Sequence, residues 1–166
     1  MSTDWTLERF FHTVVNSTNL DRSIAFYETL GFKVLHDRRN VKWPDFVATN
    51  FGMKRAQGHG ALMVLESDPN GPIVDLVEWT EPRFEPSTGP DRIPQILAFQ
   101  TRNVAAARKA LEARNIEFTN ELIGPDDALG VKGVCCCVDP DGTVIELIEY
   151  LPGQRHSRTD DLESSS

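Results

Sequence analysis

The sequence lacks any apolar run near the roughly 20 residues that a bilayer-spanning helix needs, so no membrane span is expected. It also lacks an excess of positive charge. Lys and Arg number 17 against 25 Asp and Glu, a net charge of −8. That balance argues against nucleic acid and anionic membrane surfaces as partners. Spaced cysteines are missing too: the three present are adjacent, Cys135, Cys136 and Cys137. A disulfide framework needs spacing. Strand neighbours point to opposite faces, so these three cannot converge on one metal. They read as small, fairly apolar strand residues in a reducing compartment. The opening "MSTDWTLERFF" carries acids and no long apolar core, so no secretory leader is expected. The expected location is the cytoplasm.

What is present is a chain of 166 residues, 40% hydrophobic and 25% charged, enough for a soluble domain with a real core. Residues 153–166 are polar, lack periodicity and are expected to be a disordered tail. The body repeats itself. "DPNGPIVDLVEW" from Asp68 and "DPDGTVIELIEY" from Asp139 align without a gap at an offset of 71 residues. In each, Asp-Pro-x-Gly makes a turn and an alternating strand follows. Upstream, "FHTVVNSTNLDRSIAFYETLGFKVL" aligns with "QILAFQTRNVAAARKALEARNIEF" at an offset of 84 residues. Each segment has a β-rich run, then Asn19 or Asn103 as N-cap. A helical stripe follows: Leu20, Ile24 and Tyr27, or Val104, Ala107 and Leu111. Gly31 or Asn115 stands at the left-handed C-cap. New strands are expected at "FKVL" and "IEFT". The first half carries about 13 extra residues, placed in "RRNVKWPDFVATNFGMKRAQGHG".

These observations predict an α+β fold: two modules, each a strand, a helix and a run of strands, packed together so that their sheets enclose a cup. The first module is assigned to 8–80, a proline-rich linker to 81–93 and the second module to 94–152. On the last strand Ile145, Leu147 and Glu149 share one face, and Val144, Glu146, Ile148 and Tyr150 the other. The repeat puts Ile73, Asp75, Val77 and Trp79 in the corresponding positions. A carboxylate among apolar strand neighbours is costly unless paired, hydrogen-bonded or bound to metal. Asp75 and Glu146 are therefore candidate site residues, and His12 on the first strand is a third. One histidine and two carboxylates suit a divalent ion. The bland alternatives are acids on a wet face and a structural histidine. Trp43, Trp79 and Tyr150 line a pocket or are plain core. His36 and His59 are weaker candidates, His59 lying in "QGHGA", which reads as a glycine-rich turn. Arg38, Arg39 and Lys42 form a positive rim or are simply solvated.

The stretches "FFHTVVNSTNLDRSIAFYETLGFKVL" and "DPDGTVIELIEY" resemble the vicinal oxygen chelate superfamily, the fold of glyoxalase I, bleomycin-resistance proteins and extradiol dioxygenases. The resemblance spans about residues 8–152 and implies two paired βαβββ modules forming a curved mixed sheet around a cup-shaped site. It implies metal ligands at His12, Asp75, Ile96 and Glu146, of which Ile96 cannot ligate. Three remain for Fe, Mn, Co, Ni or Zn. It implies a metal-dependent lyase or isomerase, or a dioxygenase, acting on a small oxygenated molecule. The ion would polarise vicinal oxygens, and Glu146 or Asp75 would serve as the base. The alternative is a metal-free small-molecule binding or sequestration protein of the bleomycin-resistance type. The resemblance also implies a small-molecule partner and a homodimer.

Overall fold

The computed structural model describes residue 5 and residues 7–154. The expected tail therefore lies, from residue 155 on, outside the described residues. The chain divides into two compact units, one ending at Arg92 and the other starting at Ile93.

The first unit runs β1 (His12–Ser17), α1 (Leu20–Thr29), β2 (Phe32–Asp37), α2 (Phe46–Asn50), β3 (Gln57–Leu65) and β4 (Ile73–Glu81). Its strands form one sheet in the order β1-β4-β3-β2. β1 lies parallel to β4, and the other pairs are antiparallel. Asn19 starts α1: its backbone is extended and its Oδ1 accepts the Arg22 N–H at 2.9 Å. That satisfies one of the four donors a helix start leaves open. Gly31, with φ +96°, ends the turn after α1, a conformation glycine adopts without a Cβ penalty. The buried stripe of α1 is Leu20, Ser23 and Tyr27, while Ile24 is only half-buried. The expected Ile24 yields to Ser23 because the Ser17 hydroxyl on β1 bonds the Ser23 hydroxyl at 2.8 Å. Tyr27 is fully buried, edge-on to Phe32 at 5.6 Å.

The second unit runs β5 (Ile96–Gln100), α3 (Val104–Glu112), β6 (Val131–Val138) and β7 (Val144–Tyr150), with sheet order β5-β7-β6. β5 is parallel to β7, and β6 is antiparallel to it. Asn103 caps α3 as Asn19 caps α1, accepting the Ala106 N–H at 2.9 Å. Asn115 takes φ +64°. At the Asp139 turn, Oδ1 accepts the Asp141 and Thr143 N–H groups at 2.9 and 2.8 Å. The strand expected at "IEFT" is reduced to a single bridge, Phe118 to Cys137, with a second bridge, Ile123 to Val134, beyond it. The reason is local. Asn120 Oδ1 takes the Cys136 N–H at 2.9 Å, where a ladder carbonyl would otherwise stand. Arg108 then pins this segment, bonding the Asn120 carbonyl at 2.8 Å and covering the Phe118 ring at 5.0 Å. The fold is α+β, as the repeat predicts, with a mixed sheet of four strands in the first unit and of three, one fewer than expected, in the second.

One carboxylate in each unit ties helix to sheet. Glu78 of β4 accepts the Leu20 N–H at 2.8 Å, and Glu149 of β7 accepts the Val104 N–H at 2.9 Å. Both sit where the helix dipole favours negative charge. Glu149 also bonds Lys132 Nζ at 2.6 Å. The Lys132 ammonium first, and the Val104 N–H second, hold the Glu149 carboxyl below the ordinary glutamate value of 4.5. This contribution to stability is complete above 4.5 and is lost as pH falls through the depressed value. Glu149→Ala should cost about 1–3 kcal/mol in thermal or urea unfolding at neutral pH. Glu149→Gln should flatten the loss of stability on acidification; an unchanged acid profile would show the pair to be inert.

Candidate functional site

Glu78 points at α1, so alternation turns Asp75, Val77 and Trp79 to the opposite face of the first sheet, called the open face because α1 lies on the other; Asp75 and Val77 are buried there and Trp79 is half-buried. Register adds the neighbours. His12 lies beside Ile73, Val14 beside Asp75 and Asn16 beside Val77. On β3, Leu62 pairs with Asp75, Gly60 with Val77 and Gly58 with Trp79. A register shift between Val34 and His36 leaves His36 beside Leu62. His12 and Asp75 therefore share this face, on adjacent strands two positions out of step. His12 is exposed, with its ring edge-on to Phe11 at 5.2 Å. His59 is exposed, and its Nδ1 meets the Arg39 carbonyl.

Asp75 is buried at 7% exposure, and its carboxylate is already partnered. Arg38 Nη2 donates to Oδ1 at 2.7 Å and to Oδ2 at 2.8 Å. A residue expected to be rim or solvated thus neutralises the central acid. Just past β2, the Arg38 N–H bonds the Gly60 carbonyl at 2.8 Å, which aims the side chain back over the sheet. Arg39 behaves differently: it pairs with Asp21 and Asp37 at 2.8 Å each, on the surface.

The stretch "QGHGA" is strand, not the turn expected from its glycines. Glycine in a strand marks a close approach by something else, and Gly58 shows it. A Cβ on Gly58 would meet the Glu78 carbonyl at 2.8 Å and the Trp43 ring at 3.2 Å. One on Gly60 would make ordinary contacts, 3.7 Å from Arg38 Nη2 and from Asp75 Oδ1. Trp43 packs edge-to-face on Trp79 at 5.3 Å, and Phe51 reaches Trp79 at 6.4 Å. The Trp79 Nε1–H donates to Asn16 Oδ1 at 2.8 Å. Both indoles are half-buried, and Phe51 is exposed.

In the second unit, Glu149 points at α3, so Val144, Glu146, Ile148 and Tyr150 lie on the open face, each half-buried. Glu146 pairs with Ala98 on one side and Cys136 on the other. Ile96 pairs with Val144 as His12 pairs with Ile73, so Ile96 is the register counterpart of His12. Ile96 is 56% exposed. Cys135 and Cys137 are buried while Cys136 is half-buried, as strand alternation requires. Burial raises all three thiols, Cys137 to about 11, so they stay protonated at neutral pH.

The match to known proteins follows this geometry. The model of the glyoxalase/bleomycin resistance protein/dioxygenase superfamily matches residues 9–147. The chain belongs to that superfamily. The chain is 27% identical, over 85% of its length, to lactoylglutathione lyase of Schizosaccharomyces pombe, and spans only 45% of that relative. Among solved structures it is similar to a glyoxalase family protein from Bacillus cereus, with TM-score 0.72 and 17% identity, covering 91% of this chain and 99% of that one. It is also similar to a fosfomycin resistance protein from Listeria monocytogenes complexed with Mn(II) and a dihydroxypropylphosphonic acid. There the TM-score is 0.60 and the identity 13%, covering 92% and 100%. At those identities the likeness to the two structures shows the fold alone.

Superfamily membership implies a divalent ion, and the donor set in hand does not fit one. Both Asp75 oxygens accept from a guanidinium that carries the positive charge an ion would bring. At the register counterpart of His12 stands an apolar Ile96. Among the described residues, neither unit assembles three His, Cys, Asp or Glu side chains into a group able to hold a metal.

No helix of the described residues is long and apolar enough to cross a membrane. The Arg38–Asp75 pair has its acid buried and its base 40% exposed. It stands between the exposed pairs that contribute little and the buried ones whose rupture costs several kcal/mol. Arg38→Met should therefore destabilise by about 2 kcal/mol, and adding Asp75→Asn should restore most of it. Urea unfolding of the two single variants and the double variant reads the coupling; additive losses would mean the two side chains act independently.

Proposed function

We propose that this chain is a small-molecule binding protein of the bleomycin-resistance type, working without a metal ion. The observation that carries the reading is the Arg38–Asp75 pair: the acid that would hold the ion is bonded through both oxygens to a cation of the chain itself. Trp43 and Trp79, half-buried on the same open face, supply apolar surface for a ligand. Binding pockets of this kind combine aromatic walls with a few placed polar groups. Assembly as a homodimer belongs to the same proposal and is read by light scattering.

A second reading is a metal-dependent lyase, isomerase or dioxygenase. The likeness to lactoylglutathione lyase favours it. It takes His12, Asp75 and Glu146 as ligands and gives Asp75 or Glu146 the proton transfer, which requires Arg38 to leave Asp75. The two readings part on one measurement. Protein purified without added metal or chelator should contain no stoichiometric divalent ion. Titration calorimetry with Mn²⁺, Ni²⁺ or Zn²⁺ should show no site that His12→Ala or Glu146→Ala abolishes. One ion per chain, lost in those variants, would establish the second reading and sink the first.

A further inference from the structure

Resting on the binding-protein reading, we propose a ligand class for the open face of the first unit: an aromatic ring bearing a carboxylate on a short spacer. The ring would lie against Trp43 and Trp79, and the carboxylate would bond Arg38. The argument starts from β3. Gly58 and Gly60 occupy successive positions on one face, so they stand about 7 Å apart. The first is covered by the Trp43 ring and the second lies beside the Arg38 guanidinium. An aromatic surface and a cation are therefore held side by side by two bare strand positions.

Each half of this arrangement has capacity left over. The Trp79 N–H is already bonded to Asn16, so the indole pair offers ring surface rather than polar recognition. Arg38 uses only Nη2 on Asp75, and Nη1 has no hydrogen-bond partner among the described residues. The side chain keeps 40% of its surface exposed. A guanidinium carries five N–H donors, and Asp75 takes those of one nitrogen only. A second carboxylate therefore completes its bonding, and Arg is the side chain best shaped to hold one. The surroundings sharpen the choice. Arg39, the adjacent cation, is tied to Asp21 and Asp37, whereas Arg38 keeps donors to give. The ring surface favours a carboxylate carried on an apolar body over a free hydrated anion such as phosphate, because only the apolar body gains by stacking.

The test uses the full chain with Trp5→Phe, so that Trp43 and Trp79 are the tryptophans read by selective indole excitation. The probes are 3-phenylpropionate and its uncharged counterpart 3-phenylpropanol. The acid should quench saturably, and the alcohol should bind about ten-fold more weakly. Arg38→Met should weaken the acid about ten-fold and leave the alcohol unchanged. Arg38→Lys keeps a charge beside Asp75 but loses the fork, so a folded Arg38→Lys protein that still binds the acid several-fold more weakly supports the same conclusion. Trp43→Leu, on a loop, should weaken both probes. Equal binding of acid and alcohol, or an acid affinity untouched by both Arg38 variants, overturns this ligand class and leaves the binding-protein reading standing. Absence of quenching by either probe also overturns it. One divalent ion per chain overturns the reading beneath it, whichever probe binds.

Discussion

Each helix of the repeat docks through a carboxylate on the last strand of its unit, and strand alternation turns that bond into a rule for the whole sheet. Glu78 and Glu149 reach back to the first N–H of α1 and α3. A helix start is the one place on a sheet face where a buried carboxylate gains donors and a favourable dipole together. Once Glu78 is fixed there, Asp75 and Trp79 must lie on the opposite face. The same follows for Glu146 and Tyr150 once Glu149 is fixed. The open faces are thus determined by the helix-facing glutamates, and the apolar partners Leu76, Ile145 and Leu147 fill the layer between.

An acid left on the open face needs a partner. In the first unit the partner is Arg38, and the proposed metal-free function rests on this choice. A divalent ion and a guanidinium answer the same electrostatic demand. They differ in what they can do next. An ion offers open coordination positions and Lewis acidity; a guanidinium offers directed donors and fixed planarity. Replacing the first by the second shifts a site from activation of bound oxygens toward recognition of them. Ile96, at the register counterpart of His12, moves the second unit in the same direction.

The fold was legible in the sequence because it is written twice and in period two. The offsets between halves agree with the ladders: His12 and Ile96 take equivalent registers, as do Ile73 and Val144. Asn19, Asn103, Gly31 and Asn115 were readable as caps because cap chemistry is local. The faces of Asp75 and Glu146 followed from parity alone. Ser23 escaped notice because a buried serine depends on a partner six residues back, Ser17, which hydropathy periodicity does not weigh. The missing strand at "IEFT" turned on one side-chain amide, Asn120, competing for a ladder N–H.

Arg38 was missed for a different reason. Its meaning depends on a bulge in β2 and on two glycines in β3, features that act only when the strands are paired. A charged residue after an exposed strand reads as solvated, and most are. Yet "GHG" within an alternating segment carried a signal of its own. Two glycines one residue apart leave one strand face bare at successive positions, which costs backbone entropy unless something large or charged fills the space. Trp43 lies over Gly58 and Arg38 beside Gly60. Strand glycines at period two therefore point to the side chains that come to lie over them, and here those side chains are the aromatic surface and the cation of the proposed site.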